Sequence, residues 1–344
     1  MRALTISAHG GLERLEYRDD VPAPAIAGPH DVLVRVEAAA LNHLDLFVLG
    51  GLPGITIRPP WVVGSDGSGA VAEVGTAVES VRPGDAVVVN PGTSCGRCEY
   101  CTSGDEPLCV RYRIFGEHEP GFLGEYVVVP ERCVRPRPAA VTAEQGAAFS
   151  LATLTAWRMV VTRAQVRPGD QVLIWGIGGG VALAALQIAR RIGATVWVTS
   201  GSDEKLARAL ALGADQALNH RTQDVPRVIR DATGKRGVDV VIDSVGEATW
   251  SRSLQALGRR GRLVTCGGTS GPMLQTDVRR LFWNQWTLMG STMGSDAEYD
   301  AIVAELHAGR LIPPIDSVWP LADGRAAYER LQSGEQFGKV VVAI

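Results

Sequence analysis

Residues 171–189 read QVLIWGIGGGVALAALQIA. Residues 172–175 form a short apolar run of the kind that makes a strand buried on both faces. Gly176, Gly178, Gly179 and Gly180 follow at once, and an Ala-rich apolar segment with helical spacing runs on to Ile192. Strand, glycine turn and helix in that order make a phosphate-binding turn. The glycines permit the tight bend and let backbone N–H groups approach a pyrophosphate at the helix N-terminus. Residues 172–189 carry no charge, so a membrane span is the rival reading. The glycine cluster inside the run, with Asp170 and Arg190 at its borders, argues against it.

Downstream, strands and helices alternate. Strands are expected at 195–199, 216–218, 238–243, 262–266 and 287–291, with helices at 203–212, 225–232 and 249–257. Together with the first strand they make a six-stranded, doubly wound parallel sheet. The tail holds helices near 296–308 and 323–331 and a last strand at 339–344. Upstream, short apolar or alternating runs at 2–6, 31–38, 69–74, 86–90 and 122–130 are punctuated by Pro and Gly, the pattern of a small barrel-like β domain. A helix with Thr142 as its cap is expected over 143–161.

At 344 residues the chain is too long for one ordinary core. A net charge of −3 implies no nucleic acid or other polyanion as partner. The first residues, MRALTISAHGG, lack the apolar core of a signal peptide, and the expectation is a cytoplasmic protein without a membrane segment.

Cys95, Cys98, Cys101 and Cys109 crowd into PGTSCGRCEYCTSGDEPLC. Two-residue gaps turn successive thiolates toward one ion, and a fourth closes a tetrahedron. Four thiolates leave no open coordination position, so the expected zinc is structural and pins a loop over about residues 91–110. Cys133 and Cys266 stand alone and read as ordinary buried residues.

With the cysteine loop, the glycine turn and the β-rich front in place, the chain resembles the medium-chain dehydrogenase/reductase superfamily over its whole length. The resemblance implies an α/β architecture: a GroES-like catalytic domain at 1–152, a Rossmann dinucleotide-binding domain at 153–293 and a C-terminal segment at 294–344 that returns to the first domain. The family's zinc alcohol dehydrogenases use an early Cys, a Gly-His-Glu motif and a later Cys for a catalytic zinc. Here those positions fall at Asn42, at Gly64-Ser65-Asp66 and at about Leu151. The segments LNHLDLFVLGG and AAFSLATLTAW look like the quinone oxidoreductase-like branch, where an Asn-x-x-Asp pair, matching Asn42 and Asp45, lines the pocket. A displaced metal site built from His43, Asp45 and His118 is permitted by residue type, though no spacing requires it.

An acid ending the second strand of the sheet reads the ribose 2′-hydroxyl of NAD. Ser200 falls at that place, Ser202 and Lys205 follow, and His220 and Arg221 come after the third strand. NADPH is therefore favoured over NADH, although Asp203 and Glu204 are close and Ser202 also suits a helix cap. The resemblance adds Thr155, Val181, Ser244, Val245, Gly267, Gly338 and Lys339 to the cofactor contacts. Without a catalytic metal, hydride goes most readily to an acceptor that spreads the developing charge, a quinone or an α,β-unsaturated carbonyl. Asn42, or a backbone N–H, is then a candidate to hold the acceptor oxygen and Asp45 to orient Asn42, His43 or a loop, while the resemblance offers His43 as a contact to the cofactor phosphates. Trp61, Phe115, Phe282 and Trp283 are candidate pocket walls. The alternatives are an alcohol dehydrogenase or ketone reductase with a displaced or absent metal, and an NADPH-binding sensor without turnover. The resemblance also implies a homodimer joined through the last strand of the sheet.

Overall fold

A computed structural model describes residues Met1–Ile344, which divide into two compact units, Met1–Ala152 with Gly294–Ile344, and Thr153–Met293. No helix is long and apolar enough to cross a membrane.

The first unit is built on the strand Asp31–Ala40. Its alternation places Val32, Val34 and Val36 in the core, and the run Ala38, Ala39 and Ala40 is buried throughout. Three strands pair with it. Asp66–Val74 runs antiparallel along its whole length, Tyr126–Pro130 pairs its first half, and Lys339–Ala343 pairs its last residues. Register shifts near Val34 and between Val36 and Ala38 bend the strand so that it can serve different neighbours at its two ends. Val134–Pro136 and Ala86–Val89 extend the sheet on one side, and Ile315–Pro320 extends it on the other, giving seven strands. A second, three-stranded sheet orders Leu15–Arg18, Ala3–Ile6 and Trp61–Val62. The last segment of the chain thus completes the sheet begun by the first.

The second unit carries the expected parallel sheet. Its order is Gln216–Asn219, Thr195–Ser200, Gln171–Ile174, Val238–Asp243, Leu257–Thr265, Thr287–Gly290, with every neighbouring pair parallel. Numbered along the chain this is 3-2-1-4-5-6, the doubly wound order in which ligands lie beyond the carboxyl ends of the strands. The central strands are buried on both faces, which is why they read as unbroken apolar runs.

The strands Leu15–Arg18, Val134–Pro136 and Ile315–Pro320 go beyond the sequence expectation, and so do three helical segments. The helix Ala143–Trp157 does not continue to Val161 in α form but passes into a π-helical turn, Arg158–Arg163. Residues 43–50 form a helix that the sequence reading left unassigned, and Val278–Asn284 forms another. Both are short, and neither has the length over which a helical period becomes legible.

Candidate active site

In the first unit, the strand Asp31–Ala40 leads to Asn42, which caps the helix His43–Gly50. Asp45 stands at the third helical position, and its Oδ2 accepts the Asn42 backbone N–H at 2.7 Å. This is the acidic half of a capping box, so the Asn-x-x-Asp spacing has a local structural cause. The other Asp45 oxygen accepts the Ser65 hydroxyl at 2.5 Å. Burial pushes the Asp45 carboxyl up to about 6, against the bonds from Ser65 and the Asn42 N–H, which hold it down. Asp45 thus orients Asn42 and Ser65.

Asp66 lies next to Ser65 and is fully buried at the start of its strand. Its Oδ1 accepts the Leu151 backbone N–H at 2.8 Å. Its Oδ2 accepts Asn42 Nδ2 at 2.9 Å and lies 3.2 Å from Lys339 Nζ. Lys339 Nζ also donates to Asn42 Oδ1 at 2.5 Å. The four positions at which the resemblance places zinc ligands, Asn42, Ser65, Asp66 and Leu151, therefore do converge. Their chemistry does not fit a catalytic zinc. None offers a thiolate or an imidazole, and an ammonium group already holds two of their oxygens.

The displaced metal site does not form either. The cysteine cluster is the only group of three or more His, Cys, Asp or Glu side chains whose ligand atoms close within 4.8 Å. His118 instead accepts the Ile114 N–H through Nδ1 at 3.2 Å. His43 is exposed on the first turn of its helix, and its imidazole is held below the ordinary value by desolvation and by the Lys339 ammonium.

Three expectations change here. Asn42 has no amide hydrogen to spare for an acceptor oxygen, because Nδ2 donates to Asp66 and approaches the Ala40 carbonyl at 3.5 Å. Lys339, expected among the cofactor contacts, has its side chain in this buried cluster, at 4% exposure. Gly338 before it is needed for the backbone: its φ is 118°, and a Cβ there would stand 2.5 Å from the Pro314 carbonyl oxygen. Trp61 and Phe115 belong to the core, whereas Phe282 and Trp283 are exposed rather than walls of a pocket within their unit. The signal that would have found Lys339 is its place on a strand whose other residues are all apolar.

In the second unit, Gly176 and Gly178 take positive φ of 70° and 127°. The turn is tied to the neighbouring strand through Ile177 N–H to the Thr199 carbonyl at 2.8 Å. Gly179 caps the helix Gly180–Ile192, with Val181 in the first turn, and as a glycine it brings no side chain to the helix's opening N–H groups. A Cβ on Gly179 would meet no atom nearer than 3.9 Å, so the space over the helix start is open. That combination suits a pyrophosphate. Ser244, Val245 and Gly267 follow the ends of the fourth and fifth strands, where Asp243 accepts the Val245 N–H at 2.8 Å and Thr265 donates to the Gly267 carbonyl at 3.0 Å. Thr155 is buried in the helix Ala143–Trp157.

Ser200 ends the second strand, and its Oγ accepts the Ser202 N–H at 3.1 Å. Ser202 in turn caps the next helix by accepting the Lys205 N–H at 3.4 Å. Asp203, the nearby acid, is engaged by Asn219 Nδ2 at 2.7 Å. Arg221 lies over Gly201: a Cβ on that glycine would be 2.5 Å from Arg221 Nε. The end of the second strand therefore presents hydroxyls and a guanidinium.

The cysteine cluster is in the first unit. All six cysteines are unbridged, and Cys95, Cys98, Cys101 and Cys109 place their sulfurs within 4.8 Å of one another. Separations of 3.5 Å for Cys98–Cys101 and 3.9 Å for Cys95–Cys101 bracket the ~3.8 Å edge of a tetrahedron with Zn–S bonds of about 2.3 Å. Backbone N–H groups, that of Arg97 first, bring the Cys95 thiol down to about 6, which favours the ligating thiolate. These residues fit a structural zinc.

Two protein families match. One, described as "Alcohol dehydrogenase GroES-like domain", covers residues 28–139, and one described as "Zinc-binding dehydrogenase" covers residues 180–308. The chain is 30% identical to the NAD-dependent alcohol dehydrogenase of Sulfurisphaera tokodaii, covering 99% of each. It is also 30% identical to the quinone oxidoreductase of Lama guanicoe, covering 100% of this chain and 98% of that one. Among solved structures, an NAD-dependent alcohol dehydrogenase superposes with a TM-score of 0.96 at 44% identity, covering all of both chains. A thermostable alcohol dehydrogenase from Pyrobaculum aerophilum with cobalt and zinc bound gives 0.89 at 36% identity, covering 100% of this chain and 99% of that one.

Proposed function

The chain belongs to the medium-chain dehydrogenase/reductase superfamily and is a nicotinamide-dependent oxidoreductase, and on that premise we propose that it reduces an activated C=C bond or a quinone with NADPH and without a catalytic metal. The observation that carries this reading is the cluster of Asn42, Asp66 and Lys339: the ligand positions are filled by groups bonded to one another and to an ammonium. A carbonyl reduced directly leaves a localised alkoxide, which in this superfamily's alcohol dehydrogenases a zinc ion would meet as a Lewis acid. A conjugated acceptor asks less of the site, because the charge is spread over an enolate or a ring.

The bound nicotinamide supplies the hydride. The glycine turn offers the backbone N–H groups of the helix Gly180–Ile192 to the pyrophosphate. Ser200, Ser202 and Arg221 favour a 2′-phosphate over a bare hydroxyl, because no unengaged acid ends the second strand. Cys95, Cys98, Cys101 and Cys109 hold one zinc ion that braces their loop. A homodimer is part of the reading: Thr287–Gly290 is the unpaired edge of its sheet, and Phe282 and Trp283 are exposed on the short helix before it.

A second reading, reduction of simple ketones or oxidation of alcohols with NAD, draws on the names of the Sulfurisphaera relative and of the similar structures. One experiment separates the two. NADPH oxidation is followed with a panel of enals, enones, quinones, ketones and alcohols, with NADH in parallel and metal content measured on the same sample. Turnover confined to conjugated acceptors, with one zinc per chain, is the expected result. A second metal ion needed for turnover, or preference for unconjugated ketones with NADH, overturns it.

A further inference from the structure

We propose that the Lys339 ammonium is the positive charge of the active site, built into the chain at the place where relatives would use a metal, and that its remaining N–H receives the acceptor's oxygen. The inference deepens the reading above and rests on it.

Lys339 has three N–H donors. Asn42 Oδ1 takes one at 2.5 Å and Asp66 Oδ2 a second at 3.2 Å. The third has no partner in the protein, although the side chain is 4% exposed. A donor on so buried a cation is costly to leave unmade, and such orphans mark places where a ligand completes the bonding. The rest of the cluster is arranged to hold the ammonium still. Asp66 is anchored by the Leu151 N–H through one oxygen and by Asn42 Nδ2 through the other. Asn42 is fixed in turn by Asp45, which accepts its backbone N–H at 2.7 Å and is tied to Ser65. The neighbouring His43, on the first turn of the helix that Asn42 caps, is exposed.

The chemistry balances with this donor. Hydride arriving at the β-carbon of an enal forms a C–H bond as the nicotinamide is oxidised. The alkene electron pair shifts through the carbonyl, and oxygen gains the negative charge. Lys339 meets that charge with a charge-assisted hydrogen bond and keeps its proton, and the α-carbon takes its proton from water. A fixed cation aimed at developing charge needs no reorganisation at the moment of reaction.

The test compares Lys339→Met and Lys339→Arg with the wild-type protein, measuring kcat and KM for one enal and one quinone together with NADPH affinity by fluorescence quenching. Lys339→Met is expected to lower kcat for the enal about 100-fold or more, in line with loss of one oxyanion donor, with NADPH affinity unchanged within about twofold. The loss is expected to be at least about tenfold smaller for the quinone, whose ring already spreads the charge, and Lys339→Arg is expected to recover part of the enal rate. A purely structural lysine would lower both acceptors equally, and that result overturns the inference, as does an enal kcat within about threefold of wild type. Should Lys339→Met not fold because Asp66 is left unpaired, Lys339→Met with Asp66→Asn removes both charges while keeping an acceptor for the Leu151 N–H, and the same comparison applies. If the wild-type protein itself reduces neither enals nor quinones, the functional reading fails and takes the inference with it. If it reduces both while Lys339→Met is unimpaired, only the inference fails.

Discussion

Arg221 lies across the backbone of Gly201, its Nε 2.5 Å from the point where a Cβ would stand. No side chain is possible at Gly201 without moving that guanidinium, which places it one residue past the end of the strand Thr195–Ser200. Removing it should cost the phosphate-bearing cofactor alone. Arg221→Ala is expected to raise the KM for NADPH about 10- to 100-fold, the size of one or two lost charge-assisted hydrogen bonds, and to leave NADH within about twofold. Steady-state kinetics with both cofactors check this, and an equal loss for the two would remove Arg221 from the cofactor site.

The buried Asp45 carboxyl, raised from 3.8 to about 6, makes the fold pH-sensitive in a definite direction. Between those values the folded protein keeps a proton that the unfolded chain has released, so this group's contribution is largest below about 3.8 and is lost as pH rises to about 6. The shift corresponds to roughly 3 kcal/mol. Asp45→Asn cannot titrate and should flatten that part of the profile. Urea unfolding at pH 4 and pH 7 measures it: relative to wild type, the variant should fare better at pH 7 than at pH 4.

Asp66 holds three partners from distant parts of the chain: Asn42, Leu151 and Lys339. Asp66→Ala leaves the Lys339 ammonium without its counter-charge and the Leu151 N–H unmade, and should destabilise by about 3–5 kcal/mol. Asp66→Asn keeps an acceptor for Leu151 and should differ from Ala by a higher melting temperature. If the two variants melt together, the anchoring of Leu151 contributes nothing.

The protein as purified should contain one zinc ion per chain, and Cys98→Ser should lose it, lowering the melting temperature. NADPH affinity should be kept within about twofold, because the four cysteines lie in the first unit and the glycine turn in the second. Metal analysis and fluorescence titration decide the matter. A metal-free native protein would refute the zinc assignment.

Phe282 and Trp283, 62% and 73% exposed, flank the unpaired edge strand Thr287–Gly290. Charge at these positions should oppose association through that face. The double variant Phe282→Glu, Trp283→Glu is expected to elute as a monomer where the parent elutes as a dimer, as light scattering coupled to gel filtration would show.

Much of the fold is legible along the chain because its signals are local. The glycine turn needs only the backbone freedom of Gly176 and Gly178 and the adjacent helix start. The cysteine lobe depends on spacings of a few residues, and the parallel strands announce themselves as apolar runs because both faces are covered. The Asn42-x-x-Asp45 spacing was visible too, but its immediate cause is a helix cap, a role that residue types alone do not separate from a pocket motif.

The dinucleotide turn, the four-thiolate cluster and the lack of thiolate or imidazole at Asn42, Ser65 and Leu151 can be read along the chain. What stands there instead emerges from the folded chain. Asn42 and Lys339 are 297 residues apart, and they meet because Lys339–Ala343 pairs antiparallel with Asp31–Ala40, Val341 opposite Ala40. Side chains alternate along a strand, so a slip of one residue in that register would turn the ammonium to the other face. Such a long-range register depends on the packing of the whole sheet, and no short stretch of sequence contains it.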